Sequence, residues 1–194
     1  GLDIQKTFLL TTLVWVVLSI FASIPFVLGY TNANLVDAIF EAVSGITTTG
    51  STVFSELDKM PKGLLLWRGI LQWLGGIGII VVAMVFLPEL RVGGMQIFRA
   101  EGFDTLGKIL PRATTIAFQV SIIYVGITIA CGLAYVLAGM SFFDAVVHSF
   151  TTVATGGFSN YDGSFSVFSW QVEYVAILFM ILSALPFVRY VQLI

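Results

Sequence analysis

Charged residues are scarce in this chain of 194 residues. Asp, Glu, Lys and Arg together make up 10% of it, and the formal net charge is -2. A chain with no basic excess and no run of like charges has no electrostatic surface for nucleic acid, so nucleic acid is excluded as a partner. Hydrophobic residues make up 58%, and the mean hydropathy is +0.99. This composition is that of a membrane protein rather than of a soluble domain.

Cysteine and histidine are almost absent. One Cys and one His can form neither a disulfide nor the Cys/His set of a zinc site. Cys131 lies in an apolar run and is predicted to pack as a small hydrophobic residue. No cofactor is predicted for this chain.

Four apolar runs are long enough to cross a hydrocarbon core of about 30 Å. They cover residues 8–30, 64–88, 115–139 and 167–190. The first run is too long for a signal-peptide core and lacks a small-residue cleavage site, so it is predicted to be a retained span. The sequence therefore predicts an all-α membrane protein with four spans.

Two shorter apolar segments lie between these runs, at residues 34–46 and 141–153. A helix of about 12 residues rises only roughly 18 Å, so neither segment can cross the membrane. Each begins with a good N-cap residue, Asn34 or Ser141, and has an Asp three positions later, where the helix dipole favours negative charge. The positive-inside bias of the basic residues makes both segments re-entrant from the outer face.

The two halves of the chain are internal repeats. Superposing Asn34 on Ser141 also places Asp37 on Asp144 and Gly50 on Gly157 without a gap. Each repeat, 1–100 and 101–194, then consists of a span, a pore helix, a polar tract and a second span. We expect parallel topology, because the second repeat begins on the side where the first began.

The polar tracts at residues 47–52 and 153–159 are rich in Thr, Ser and Gly. Non-helical backbone at membrane depth is stable only where it is buried in protein or lines a wet cavity. Glycine allows close approach to an ion, and backbone carbonyls can replace its water shell. Each short helix would also direct its partially negative C-terminal end at the cavity. The pattern predicts a permeating cation.

Three segments carry a resemblance to a known family: VSGITTTGSTV, WLGGIGIIVV and SFTTVATGGFS, in this order. They resemble the Trk/Ktr/HKT superfamily of potassium transporters, most of all its bacterial TrkH branch, which lies in the cytoplasmic (inner) membrane. In that family four repeats of the potassium-channel type, each a span, a pore helix and a span, surround one selectivity filter. The resemblance implies that backbone carbonyls here bind K⁺, the transported ion, at Thr48, Thr49, Gly50, Thr155, Gly156 and Gly157. Glycine rather than serine at position 50 implies a preference for K⁺ over Na⁺.

The resemblance also implies partners. Since two of the four repeats are present, we expect the chain to be part of a longer protein that supplies the other two, with a dimer of half-proteins as the alternative. The family implies a homodimer and a cytoplasmic nucleotide-binding regulatory subunit. The linker at 89–113 mixes basic and apolar residues, and it is either a contact surface for that subunit or a plain interfacial helix.

Two other functions are alternatives to potassium transport. An intramembrane hydrolase would use His148 with Ser44 or Ser149, but a nucleophile elbow needs a longer Gly-x-Ser-x-Gly pattern. Packing or hydrogen bonding within the pore helix is the preferred interpretation of this histidine. The other alternative is a non-conducting structural membrane subunit.

Two further features have structural predictions. Glu41 aligns with His148, and we predict that it pairs with Arg68 in preference to binding an ion directly. The small residues of LGGIGII, at 74–80, are predicted to let helices pack closely, with a hinge as the alternative.

Overall fold

The structure is a computed structural model that describes residues 4–29, 33–90, 113–187 and 190. Its α-helices in chain order are α1 (Ile4–Leu28), α2 (Leu35–Ile46), α3 (Lys62–Leu90), α4 (Ala113–Leu137), α5 (Phe142–Val153) and α6 (Trp170–Ala184). Short 3-10 turns at Leu57–Lys59 and Ser164–Val167 precede α3 and α6. The described part of the chain contains no β-strand, as predicted for an all-α protein. The boundary between the predicted repeats, and most of the linker at 89–113, lie outside the described residues.

Helices α1, α3 and α4 are long and apolar enough to cross a membrane. Their apolar windows are Phe8–Leu28, Lys62–Ile80 and Ala117–Leu137. Large hydrophobic side chains on α1 and α4 remain exposed, among them Phe21 and Phe118. Such faces are stable against lipid or against further apolar helices.

The last predicted span differs from the structure. A single helix was predicted over residues 167–190, whereas α6 has 15 residues and ends at Ala184. Leu185 is extended, with ψ 146°, because the residue before a proline, here Pro186, is pushed out of the helical region. Phe187 is buried beyond this break and packs against the core. The prediction of one uninterrupted span is therefore corrected to a 15-residue helix followed by a proline break.

The short helices α2 and α5 have the caps that the sequence predicted. The Asp37 amide donates to the Asn34 side chain at 2.9 Å, and the Asp144 amide donates to the Ser141 hydroxyl at 3.2 Å. Helix α2 packs against α1 and α3, while α5 packs against α3, α4 and α6. Both short helices are thus held by longer ones, and α3 contacts both.

Helix α3 joins the two hydrophobic clusters of the structure. Its Leu71 packs in a cluster with Phe26 of α1 and Ala42 of α2. On another face, Trp73 packs in the larger cluster that contains Tyr124 of α4. That cluster also includes Cys131, which is fully buried as predicted.

The small residues of α3 lie where the short helices end. A side chain on Gly75 would overlap the backbone carbonyl of Ile46, the last residue of α2. A Cβ on Gly76 would lie 3.1 Å from Cα of Ala154, the C-cap of α5. The structure confirms close packing as the role of these glycines.

Candidate ion-binding site

The loops that follow α2 and α5 have the same unusual backbone. Thr48 and Thr155 adopt φ +56° and +54°, and Gly50 and Gly157 adopt φ +80° and +77°. These residues are equivalent in the predicted repeats. A non-glycine residue in the left-handed region is uncommon and costs about 1–2 kcal/mol, so the repetition of this conformation shows that both tracts form the same turn.

The N–H groups of these loops bind back to their own helices. Thr48 donates to the carbonyl of Gly45 at 3.0 Å, and Thr155 donates to that of Thr152 at 2.9 Å. The next two N–H groups of each loop donate to a single helix carbonyl, that of Ser44 or Thr151. Carbonyls in the last turn of each helix are therefore satisfied by the loop that follows it.

The carbonyl oxygens of the same loops are left without partners. Within the part of the chain that the structure describes, no hydrogen bond is accepted by the backbone carbonyls of Thr48, Thr49, Gly50, Thr155, Gly156 or Gly157. Gly156 is buried, whereas Thr49, Thr155 and Gly157 are exposed, and an exposed carbonyl without a protein partner is free to bind water or an ion. These six are chemically able to coordinate a cation.

The two loops meet at glycines. A Cβ on Gly50 would overlap the carbonyl oxygen of Gly156, and a Cβ on Gly156 would overlap the side chain of Gln72. Gly157 is different, because nothing lies within 4 Å of the Cβ position there. Close approach thus excludes side chains at Gly50 and Gly156, whereas at Gly157 the positive φ alone favours glycine.

Gln72 of α3 is a residue of this site that the sequence analysis missed. It is fully buried, and its Oε1 accepts a hydrogen bond from the Phe158 N–H at 3.1 Å. The only sequence signal is a lone amide in the middle of an apolar run. Amides in membrane helices commonly bond between helices, so the sequence alone does not connect it to a loop more than eighty residues away.

Glu41 forms the predicted ion pair with Arg68. Arg68 Nε donates to Glu41 Oε1 at 2.7 Å, and both side chains are buried, 1% and 0% exposed. The carboxylate also accepts from the Thr52 hydroxyl at 2.9 Å and from the Val53 N–H at 3.1 Å. The Glu41 carboxylate therefore ties the end of the first loop to α2 and α3.

Arg68 connects this network to the second loop. Its Nη1 donates to the carbonyl of Ser159 at 2.7 Å, and its guanidinium lies 4.1 Å from the ring centroid of Phe158. A planar guanidinium suits such combined ion pairing and stacking. Arg68 therefore holds both loops to α3.

His148 is a hydrogen-bonded residue of α5, which agrees with the interpretation that the sequence favours. It is fully buried, with Nδ1 2.9 Å from the carbonyl of Asp144 and Nε2 3.0 Å from Oγ of Ser159. The hydroxyls of Ser44 and Ser149 both donate to backbone carbonyls instead. The serine–histidine pairs of the hydrolase alternative are not formed.

Asp144 holds the outer end of the second loop. Its carboxylate accepts from Asn160 Nδ2 at 2.9 Å, from the Tyr161 hydroxyl at 3.0 Å and from the Ser141 hydroxyl at 2.7 Å. Burial favours the neutral acid, but these hydrogen bonds outweigh it and hold the pKa of Asp144 below its usual value. The carboxylate is therefore ionised at neutral pH.

Long apolar helices that hold two short helices, each followed by a loop of unpaired carbonyls, define an α-helical integral membrane protein. The family model for TrkH, described as a cation transport protein, matches residues 2–194. The chain belongs to the TrkH family of cation transport proteins. This family consists of transport proteins of the bacterial cytoplasmic membrane and not of enzymes.

The chain is similar in sequence to proteins from several bacteria. The chain is 50% identical over 189 residues to the Trk system potassium uptake protein TrkI of Halomonas elongata, covering 96% of this chain. It is 45% identical over 184 residues to TrkH of Vibrio parahaemolyticus and 44% identical over 183 residues to TrkH of Escherichia coli K12, covering 93% and 92% of this chain. In each case the chain spans 38% of the relative's length.

A solved structure has the same fold. The crystal structure of the potassium transporter TrkH from Vibrio parahaemolyticus superposes with a TM-score of 0.86 at 41% identity. The match covers 98% of this chain and 38% of that one.

Proposed function

We propose that this chain supplies two of the filter loops of a bacterial potassium uptake protein. The observation that carries the proposal is the duplicated loop, in which the same left-handed turns leave the same carbonyls unpaired. The names of the relatives, Trk system potassium uptake proteins, support K⁺ as the transported ion.

The proposed filter binds dehydrated K⁺ through backbone oxygens. The six carbonyls contributed here are those of Thr48, Thr49, Gly50, Thr155, Gly156 and Gly157, and equivalent groups come from outside this chain. Carbonyls that replace the water shell give selectivity through their number and spacing. The C-terminal ends of α2 and α5 add a negative potential where the cation sits. Transport by this mechanism changes no covalent bond and needs no cofactor.

The repeat organisation indicates what the remainder of the full-length protein contributes. Residues 1–100 and 101–194 each contribute one span, pore helix, filter loop and second span, and two further repeats close the ring around the ion. We also propose the homodimer and the cytoplasmic nucleotide-binding subunit that the family resemblance implies, with the linker at 89–113 as the contact surface for the subunit.

The test is the K⁺/Na⁺ reversal potential of the full-length protein in a planar bilayer, with and without Gly50→Ser. Wild type is expected to prefer K⁺. The substitution is expected to lower that preference, since a side chain at position 50 overlaps the Gly156 carbonyl. Gly63→Ser is the matched control, because nothing lies within 4 Å of a Cβ at that position.

Two results would contradict the proposal. A wild-type protein without cation current would favour the structural subunit. A permeability ratio that Gly50→Ser leaves unchanged would remove Gly50 from the filter.

A further inference from the structure

The side chain of Gln72 lies directly behind the proposed filter. Its carboxamide fills the space that a side chain on Gly156 would need, and Nε2 lies 3.6 Å from the Cβ position of Gly50. The side chain therefore touches the point where the two loops meet. Gln72 belongs to α3, in the first predicted repeat, whereas the hydrogen bond that it accepts comes from Phe158 in the second.

This hydrogen bond determines where a carbonyl points. The N–H of Phe158 and the C=O of Gly157 belong to one planar peptide unit, and in a trans peptide they point in opposite directions. No cis peptide occurs among the described residues. Because Oε1 of Gln72 holds the N–H at 3.1 Å, the carbonyl of Gly157 is directed away from α3. Gly157 itself borders open space.

The amide carries a cost that packing does not explain. Nε2 of Gln72 is buried and has no hydrogen-bond partner among the described residues. A buried donor without a partner is unfavourable, and an apolar side chain of the same size would avoid that penalty. The acceptor oxygen is therefore the part of the side chain that serves the loop.

Among the described residues, the first loop lacks the hydrogen bond that Gln72 makes with the second loop. Ser51 is the residue equivalent to Phe158, and its N–H has no partner in the part of the chain that the structure describes. At this position of the turn, the N–H is thus held in the second loop, which a helix of the other repeat reaches, and not in the first. The contact is a cross-repeat feature and not part of the turn itself.

We propose that Gln72 is a positioning residue that sets ion selectivity by holding the Phe158 N–H, and with it the Gly157 carbonyl, in the ion-binding orientation. This inference rests on the proposed function of the loops as a potassium filter. It assigns the role to one oxygen atom, Oε1.

The experiment compares three variants of the full-length protein by K⁺/Na⁺ reversal potential. Gln72→Met keeps the length of the side chain and removes the acceptor. Gln72→Glu keeps an acceptor oxygen and replaces the unpartnered Nε2 with a second oxygen, and burial at this position favours the uncharged acid. Gln119→Met is the matched control, because Gln119 lies on α4 and its side chain forms no hydrogen bond with either loop among the described residues.

Loss of the single hydrogen bond is expected to lower the K⁺/Na⁺ permeability ratio about three- to tenfold in Gln72→Met. Gln72→Glu is expected to keep a ratio closer to wild type than Gln72→Met does, and Gln119→Met is expected to leave it unchanged. A general packing defect would instead lower the current of both Gln72 variants without separating their ratios.

Failure of this inference is distinguishable from failure of the proposed function. If wild type is selective and Gly50→Ser reduces selectivity while Gln72→Met does not, the filter stands and the role of Gln72 is refuted. If wild type shows no preference for K⁺, the filter itself is refuted. If Gln72→Met does not assemble, Gln72→Glu provides the test, and its K⁺/Na⁺ permeability ratio is expected to be similar to that of wild type. A ratio for Gln72→Glu as low as that of Gly50→Ser would overturn the inference.

Discussion

At the scale of residues, two ion pairs of the same length differ in their effect on stability because one is buried and the other is exposed. Glu41 and Arg68 are fully buried at 2.7 Å, and Glu56 and Lys59 form a pair of the same length with side chains 68% and 74% exposed. Water and ions screen the exposed pair. Removing one partner of the buried pair leaves an uncompensated charge in a medium of low dielectric.

Glu41→Gln is therefore expected to lower the free energy of unfolding by about 3–5 kcal/mol, the usual cost of breaking a buried pair. The first loop should also loosen, since Thr52 and Val53 bind the same carboxylate. Thermal unfolding of the full-length protein in detergent measures the loss.

Glu56→Gln is the matched control and is expected to leave the unfolding temperature unchanged. Equal unfolding temperatures for Glu41→Gln and wild type would show that the buried pair does not hold the loop.

At the scale of elements, α3 is the helix on which both loops depend. Gly75 faces the end of α2, Gly76 faces the end of α5, and Arg68 and Gln72 bind the loops. Position 72 lies four residues after 68, and positions 75 and 76 lie three and four residues after 72, which is the spacing of one helix face. One face of α3 therefore contacts both loops and the ends of both short helices.

Gly75→Ala is expected to displace α2, because its methyl group would overlap the carbonyl of Ile46. Overpacking of this kind costs about 1–3 kcal/mol, and the shift should also reduce K⁺/Na⁺ selectivity. Gly126→Ala tests glycine replacement alone, since Gly126 lies within α4 with nothing within 4 Å of its Cβ position.

The measurements are thermal unfolding and reversal potential on both variants. A loss that is equal in Gly75→Ala and Gly126→Ala would indicate a general need for glycine in these helices instead of close packing against α2.

At the scale of the whole molecule, the two repeats are tied together near their outer loops. The Asp162 carboxylate accepts from the N–H groups of Glu56 and Leu57 at 2.8 and 3.1 Å, across more than one hundred residues of sequence. Together with Arg68 and Gln72, it makes the loops of the two repeats one connected unit. The position of each loop is thus set by the other repeat as well as by its own.

Asp162→Ala is expected to increase amide hydrogen exchange at residues 56 and 57 by about tenfold. The reason is that the free energy of local opening falls by the contribution of a charge-assisted hydrogen bond. Amides within α4 should not change. Asp58→Ala is the control, because Asp58 makes no hydrogen bond through its side chain in the described structure. Unchanged exchange in Asp162→Ala would mean that the outer loops are held by other contacts.

The sequence by itself determined the elements and their duplication. Composition indicated a membrane protein, N-caps at Asn34 and Ser141 marked the start of the short helices, and the gap-free match of Gly50 with Gly157 indicated equivalent turns. These features follow from local physics, namely apolar length, capping and the backbone freedom of glycine. The ion pair of Glu41 with Arg68 was also predictable, because a charge within an apolar region requires a partner.

Only the tertiary structure decided how the repeats hold each other. No periodicity indicates that Gln72 reaches the Phe158 N–H or that Gly50 abuts the Gly156 carbonyl. Contacts between residues far apart in the chain depend on how the helices dock, which a local pattern does not encode. The short helices and the turns that follow them could be read from the sequence, whereas the side chains of α3 that contact both turns were revealed only by the packing of α3 between the repeats.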